Sequence, residues 1–156
     1  MSDALATCRA VTAGREWCAL LTGGTGNGKT HLAVAALLQW YDEHHMGMFW
    51  KVPKFLPFLR AFIFDKDSIG FEQIMENYGA GPSLLVLDDL GAHKASEFAD
   101  ETMYRIIDDR YENQAPTIIT ANVPVESIDP RIVSRMRSGL VICAAPDYRA
   151  KQSKEA

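Results

Sequence analysis

The stretch Gly23-Gly24-Thr25-Gly26-Asn27-Gly28-Lys29-Thr30 (GGTGNGKT) fits the pattern G-x-x-x-x-G-K-[ST] of a phosphate-binding P-loop. Each residue type has a physical reason. Glycines admit positive φ and let successive backbone N–H groups close around a phosphate. The helix that follows offers its N-terminal end to the same anion. The Lys29 ammonium can reach the β- and γ-phosphates, and the Thr30 hydroxyl can ligate Mg²⁺. The flanks supply the context that the motif needs. Residues 17–21 (WCALL) read as a buried strand leading in. Lys29–His44 reads as the helix leading out, with Leu32, Ala35, Ala36 and Leu38 to Gln39 as a wide apolar face.

Working outward, strands and helices alternate. Residues 4–13 suit a first helix, and residues 46–52 a second strand stopped by Pro53. Residues 54–64 and 68–78 read as two helices, the first interrupted or kinked near Pro57. Residues 84–87 (LLVL) are a third strand, and residues 97–113 an amphipathic helix. In that helix Ala99, Met103, Ile106, Ile107 and Tyr111 recur at spacings of three and four, and Ser96 is placed as its N-cap. Residues 117–120 (TIIT) are a fourth strand, residues 130–137 a short helix and residues 140–144 a fifth strand. Short, fully apolar strands alternating with helices predict a parallel sheet covered on both faces.

Two of these strands end in polar groups. Residues 84–89 (LLVLDD) finish in a carboxylate pair, which is poor core design unless the acids are used. Asp88 is placed to hold Mg²⁺ through water and Asp89 to polarise an attacking water. Both lie at the edge of a parallel sheet where ligands bind. The alternative is a strand ending in a turn capped by aspartates. Residues 117–122 (TIITAN) end at the same edge, where Asn122 could hydrogen-bond a γ-phosphate or the lytic water, or simply form a turn before Pro124.

Composition bounds the rest. The chain has 156 residues, 47% hydrophobic and 23% charged, which suits one domain with a real core and excludes disorder. With 16 basic and 20 acidic residues the net charge is −4, so the chain is no general polyanion binder. The charge is uneven. Residues 1–130 hold 10 basic and 18 acidic side chains, whereas residues 131–156 hold 6 and 2. Cys8, Cys18 and Cys143 are too sparse for a disulfide framework or a zinc finger, and fit buried thiols in a reducing cytosol. No apolar run reaches membrane-spanning length, and the N-terminus lacks the apolar core of a signal peptide.

With these pieces in order, the sequence resembles an AAA+ ATPase of the helicase-loader group that contains DnaC and DnaI, close to the IstB transposition helpers. GGTGNGKTHLA resembles the family's Walker A and its His-Leu-Ala continuation, which includes His31. LLVLDDLG resembles its Walker B, YRIIDDRYENQAPTIITANVP its helix, strand and sensor 1, and DPRIVSRMRSG its box VII. The closing Asp-Tyr-Arg is also typical. The resemblance implies a P-loop three-layer α/β sandwich with a five-stranded, mostly parallel sheet, spanning residues 1–156 as one core domain. Residues 1–16 would be an N-terminal helix and 145–156 a short tail, with no C-terminal lid domain.

The same resemblance implies an ATP and Mg²⁺ site and cytoplasmic action in DNA replication. Gly23 to His31 would bind nucleotide, Thr30 and Asp88 the metal. Lys29, Asp89, Asn122 (sensor 1) and Arg135 would be catalytic. Arg135 matches the arginine finger, which in this family reaches a neighbouring subunit's γ-phosphate, with Arg131 as runner-up. That implies a homo-oligomer, and gives the basic end an acidic site to face. A replicative helicase and single-stranded DNA are the implied partners. Lys51, Lys54, Arg60 and Lys66 among Trp50, Phe55, Phe58 and Phe62 could contact DNA, or the aromatics could be core and the cations a solvated rim. Ala121 replaces the family's usual serine, Asp89 stands where many relatives have glutamate, and the loaders' helicase-binding domain is not seen. These departures leave two alternatives, a nucleotide-gated adaptor of IstB type with little hydrolysis and a small-molecule kinase. The kinase would need an acceptor pocket and an Arg-rich lid, neither of which can be placed.

Overall fold

A computed structural model describes residues 1–44, 46–64 and 70–147. Five strands form one sheet: β1 (Cys18–Thr22), β2 (Gly47–Lys51), β3 (Leu84–Leu90), β4 (Thr117–Ala121) and β5 (Leu140–Ile142). The spatial order is β2-β3-β4-β1-β5, and every neighbouring pair is parallel. The expected parallel α/β sandwich is therefore present, without an antiparallel strand among the described residues. β4 lies between β1 and β3, so the P-loop strand and the two-aspartate strand are separated by the strand that leads to Asn122.

The strand alternation sorts side chains into two cores. Leu20, Leu85, Leu87 and Ile119 face one side, with α3 (Val52–Phe64), α4 (Phe71–Gly79), α5 (Glu97–Glu112) and α6 (Pro130–Arg135). Ala19, Leu21, Leu84, Val86 and Ile118 face the other, with α1 (Ser2–Thr12) and α2 (Lys29–His44). Strands buried on both faces are largely apolar, which explains WCALL, LLVL and the Ile118-Ile119 centre of TIIT, whose buried threonines are hydrogen-bonded. Each buried leucine contributes roughly 2 kcal/mol of transfer free energy. All three cysteines are buried, as expected. Among the described residues no helix is long and apolar enough to cross a membrane.

Four local expectations need correction. Leu32 and Ala36 pack as expected, but the rest of the α2 face is Ala33, Leu37 and Trp40, while Ala35, Leu38 and Gln39 point outward. The helix is apolar on nearly every side, so periodicity alone could not set its phase. α3 runs unbroken through Pro57. The missing donor there would have bonded Pro53, near the helix start, so one lost bond does not interrupt it. Tyr111 lies at the surface and Arg110 takes the buried position at that end of α5, where backbone carbonyls surround it. β3 continues through both aspartates to Leu90 rather than stopping at Leu87, because a bulge carries the chain past them. Ser96 does cap α5, accepting a hydrogen bond from the Ala99 N–H at 3.2 Å. Lys66 and residues 148–156, including Tyr148 and Arg149, lie outside the described residues.

Candidate functional site

The loop between β1 and α2 meets the C-terminal ends of β3 and β4 in a cavity of about 700 Å³. Thr25 to His31, Lys51, Asp88, Asp89 and Asn122 line it. Loop, Lys51, acids and Asn122 are thus brought together from four separate parts of the chain, by a sheet order that the sequence does not state.

The loop depends on two glycines. Gly23 has φ +136°, and a Cβ there would run into the Cys143 carbonyl. Gly26 has φ +70°, and a Cβ would run into the Asp147 carboxylate. The chain after β5 therefore returns to support the loop from behind. Asn27, 1% exposed, ties the two together through its amide, which donates to the Cys143 carbonyl at 2.9 Å. The Lys29 ammonium is folded into the loop. It donates to the carbonyls of Gly23 (3.0 Å) and Gly24 (2.6 Å) and to Asn27 Oδ1 (2.9 Å). A lysine held by neutral carbonyls exchanges them readily for a phosphate oxygen, because the charged acceptor is the stronger partner.

Asp88 is 1% exposed. Its Oδ1 accepts hydrogen bonds from the Thr30 hydroxyl (2.7 Å) and the Thr120 hydroxyl (2.6 Å). Its Oδ2 is buried without a hydrogen-bond partner. A buried polar oxygen left so costs free energy unless a partner such as a cation takes it. Among the described residues no cluster of three His, Cys, Asp or Glu could cage a metal alone. One carboxylate and one hydroxyl beside a phosphate seat is instead the donor set that suits Mg²⁺, which keeps waters and takes its remaining ligands from phosphate. The residues present therefore fit that ion.

Neighbouring residues of a flat strand point to opposite faces, so Asp88 and Asp89 should diverge. They do not, because the β3–β4 register shifts between Leu87 and Leu90. At that bulge Asp89 adopts φ +62°, and its N–H donates to Thr120 Oγ1 at 3.1 Å. Its carboxylate then accepts a hydrogen bond from the Asn122 amide at 2.5 Å. Bulges re-aim side chains at sites of this kind.

Arg135 does not line the cavity. It donates to Asp108 at 2.5 Å and to Tyr104 Oη at 3.4 Å, and lies over the Tyr111 ring. The Asp108 carboxylate holds the Arg135 guanidinium above the usual arginine range. Arg131 is also outside the cavity, bonded to Asp129 and Glu101 and stacked over Tyr104. Phe55 is fully buried, while Trp50 and Phe58 stack at 4.8 Å and Phe58 meets Phe62 edge-on. These aromatics are packed on one another, which favours the core alternative over exposed base-stacking platforms.

Sequence reasoning missed Thr120, the shared partner of both aspartates, although a threonine ending a buried strand was a usable signal. It also read Lys51 as a DNA-contacting cation or part of a solvated rim, whereas the β2–β3 register sets Lys51 opposite Asp88, at the cavity.

Residues 3–134 match the family described as IstB-like ATP binding protein. The phage-like element PBSX protein XkdC of Bacillus subtilis (strain 168) is 26% identical over 113 residues, covering 69% of this chain and 41% of that protein. The insertion sequence IS1162 putative ATP-binding protein of Pseudomonas fluorescens is 32% identical over 105 residues, covering 67% and 43%. The crystal structure of the DnaC helicase loader superposes with a TM-score of 0.71 at 25% identity, covering 88% of this chain and 85% of that one. The chain spans less than half the length of these two curated relatives.

Proposed function

Since the chain belongs to the IstB-like ATP-binding proteins, AAA+ proteins akin to the DnaC helicase loader, we propose that it is a Mg²⁺-dependent ATPase acting in DNA replication on a helicase or single-stranded DNA. The observation that carries this is Asp88. One of its oxygens is clamped by Thr30 and Thr120 and the other is buried without a hydrogen-bond partner, on a residue that lines the cavity beside the P-loop.

In this reading Gly23 to His31 cradle the phosphates, and Lys29 leaves the loop carbonyls for a phosphate oxygen. Thr30 and Asp88 hold the ion, which when bound neutralises phosphate charge. Asp89 polarises the attacking water, and Asn122 fixes the Asp89 carboxylate while its own amide faces the terminal phosphate. Arg135 serves a neighbouring copy of the chain, leaving Asp108 for a transition state whose charge is spread over phosphoryl oxygens. DNA contact rests on Lys54 and Arg60 rather than on stacking, and is salt-sensitive on a chain of net −4.

A second reading is an IstB-type adaptor that holds ATP and scarcely hydrolyses it. The ion pair of Arg135 with Asp108 favours it, because a committed finger is not available to a neighbour. One experiment separates the two. Phosphate release is measured against protein concentration, alone and mixed with an Arg135→Ala chain. The ATPase reading expects turnover to rise more steeply than linearly and the variant to poison mixtures. Tight ATP binding without phosphate release, with helicase and single-stranded DNA present, supports the adaptor.

A further inference from the structure

Lys51 is the last residue of β2 and its side chain is exposed at the mouth of the cavity. Its register partner is Asp88, so it stands one strand beyond the acids. No described residue forms an ion pair or hydrogen bond with it. β2 is the edge strand on the side of β3 away from β1 and its loop. The cavity thus has a cation at each end: Lys29 in the loop, and Lys51 past the carboxylates. A nucleotide anchored by the loop directs its phosphate chain from the loop toward the acids. On that path the terminal phosphate is the one that would come to the side where Lys51 stands.

We propose that Lys51 is a specificity-determining residue that contacts the γ-phosphate from within the same chain, so that the site distinguishes a nucleoside triphosphate from a diphosphate without a neighbouring subunit. The inference rests on the nucleotide-site reading above. Three arguments support it. An unpaired ammonium at the rim of a cavity holding Asp88 and Asp89 is the wrong sign for a second metal and the right sign for a terminal phosphate. Its flexible stem, mounted on a fixed strand end, lets a compact charge follow the phosphate. Its peptide neighbour Val52 is fully buried and opens α3, so a pull on Lys51 acts directly on that helix.

The test titrates fluorescent ATP and ADP analogues with Mg²⁺ into the wild-type chain, Lys51→Met and Lys51→Arg, and measures the nucleotide-free melting temperature of each. The expected result is about tenfold weaker ATP binding by Lys51→Met, the loss of one charge-assisted contact. ADP binding and melting should be unchanged, and Lys51→Arg should restore most of the preference. An unchanged ATP-to-ADP ratio in Lys51→Met, in a wild type that binds both, overturns the role of Lys51 alone. Equal loss of ATP and ADP binding also overturns it, since that is not γ-phosphate recognition. A wild type that binds neither nucleotide overturns the nucleotide-site reading, and this inference with it.

Discussion

Asn122 donates its side-chain amide to the Asp89 carboxylate across 2.5 Å, from the residue that follows β4 to a bulge in β3. The pair exists because Asp89 leaves the regular strand at φ +62° and is met by the neighbouring strand's end. On the proposed chemistry Asn122→Ala frees the acid to rotate away from the attacking water. Turnover should fall by about 10²-fold, the usual loss for one preorganised polar group. ATP affinity should stay within a few-fold. Parallel measurement of phosphate release and equilibrium binding checks this, and an equal loss of both would make Asn122 a binding group only.

Thr120 serves both acids at once, donating to Asp88 and accepting from the Asp89 N–H. Replacing its hydroxyl with a methyl leaves the buried Asp88 Oδ1 with Thr30 alone and the half-buried Asp89 N–H without this acceptor. Thr120→Val should cost about 2 kcal/mol of stability. It should also raise the Mg²⁺ concentration needed for half-maximal turnover. Denaturant unfolding and a metal titration report the two effects separately.

Arg110 is fully buried, and among the described residues no carboxylate is bonded to it. It donates to the carbonyls of Tyr78, Gly81, Ser83 and Pro116 and to Thr117 Oγ1, fastening the chain ahead of β3 to the chain ahead of β4. Burial lowers its pKa to about 10, still charged at neutral pH. Arg110→Met should lower stability by about 3 kcal/mol or more, because several carbonyls lose their donor together. Arg110→Lys should recover little, since an ammonium cannot span the same fork. Chemical denaturation midpoints test both.

Burial, with a smaller contribution from Cys143, pushes the Cys8 thiol from 9.0 up to about 11. The folded chain therefore keeps a proton that the unfolded chain releases. Stability from this group is complete below pH 9.0 and is lost as pH rises through about 11. The loss should be on the order of 2 kcal/mol. Cys8→Ala should flatten part of the slope in a melting-temperature series across that window. Cys18 and Cys143, also raised, leave a residual slope.

Much of this site was legible because its chemistry is written in short local spacings. GGTGNGKT declares its loop, and LLVLDD and TIITAN declare strands that end in polar groups. The phase of α2 was not legible, because Val34, Ala35 and Leu38 make its outer face as apolar as its inner one. Arg110 was hidden beside Asp109 and Tyr111 in a helix whose periodicity pointed to the tyrosine. Lys51 read as one of several surface cations, since only pairing with β3 sets it opposite Asp88.

The opening stretch, Gly23 to Thr30, by itself pointed to a phosphate-binding loop and to the α/β class of its surroundings. The residues involved are adjacent, and the Lys29 ammonium bonds back to its own loop, although Asn27 also ties the loop to the distant Cys143 carbonyl. Tertiary structure alone decided which distant groups that cradle meets. β4 inserts between β1 and β3, so Thr120 and Asn122 reach the aspartates, and a one-residue bulge turns both carboxylates to the same side. Strand order and register are set by how two cores pack across the sheet, a property of the whole chain that no eight-residue window contains.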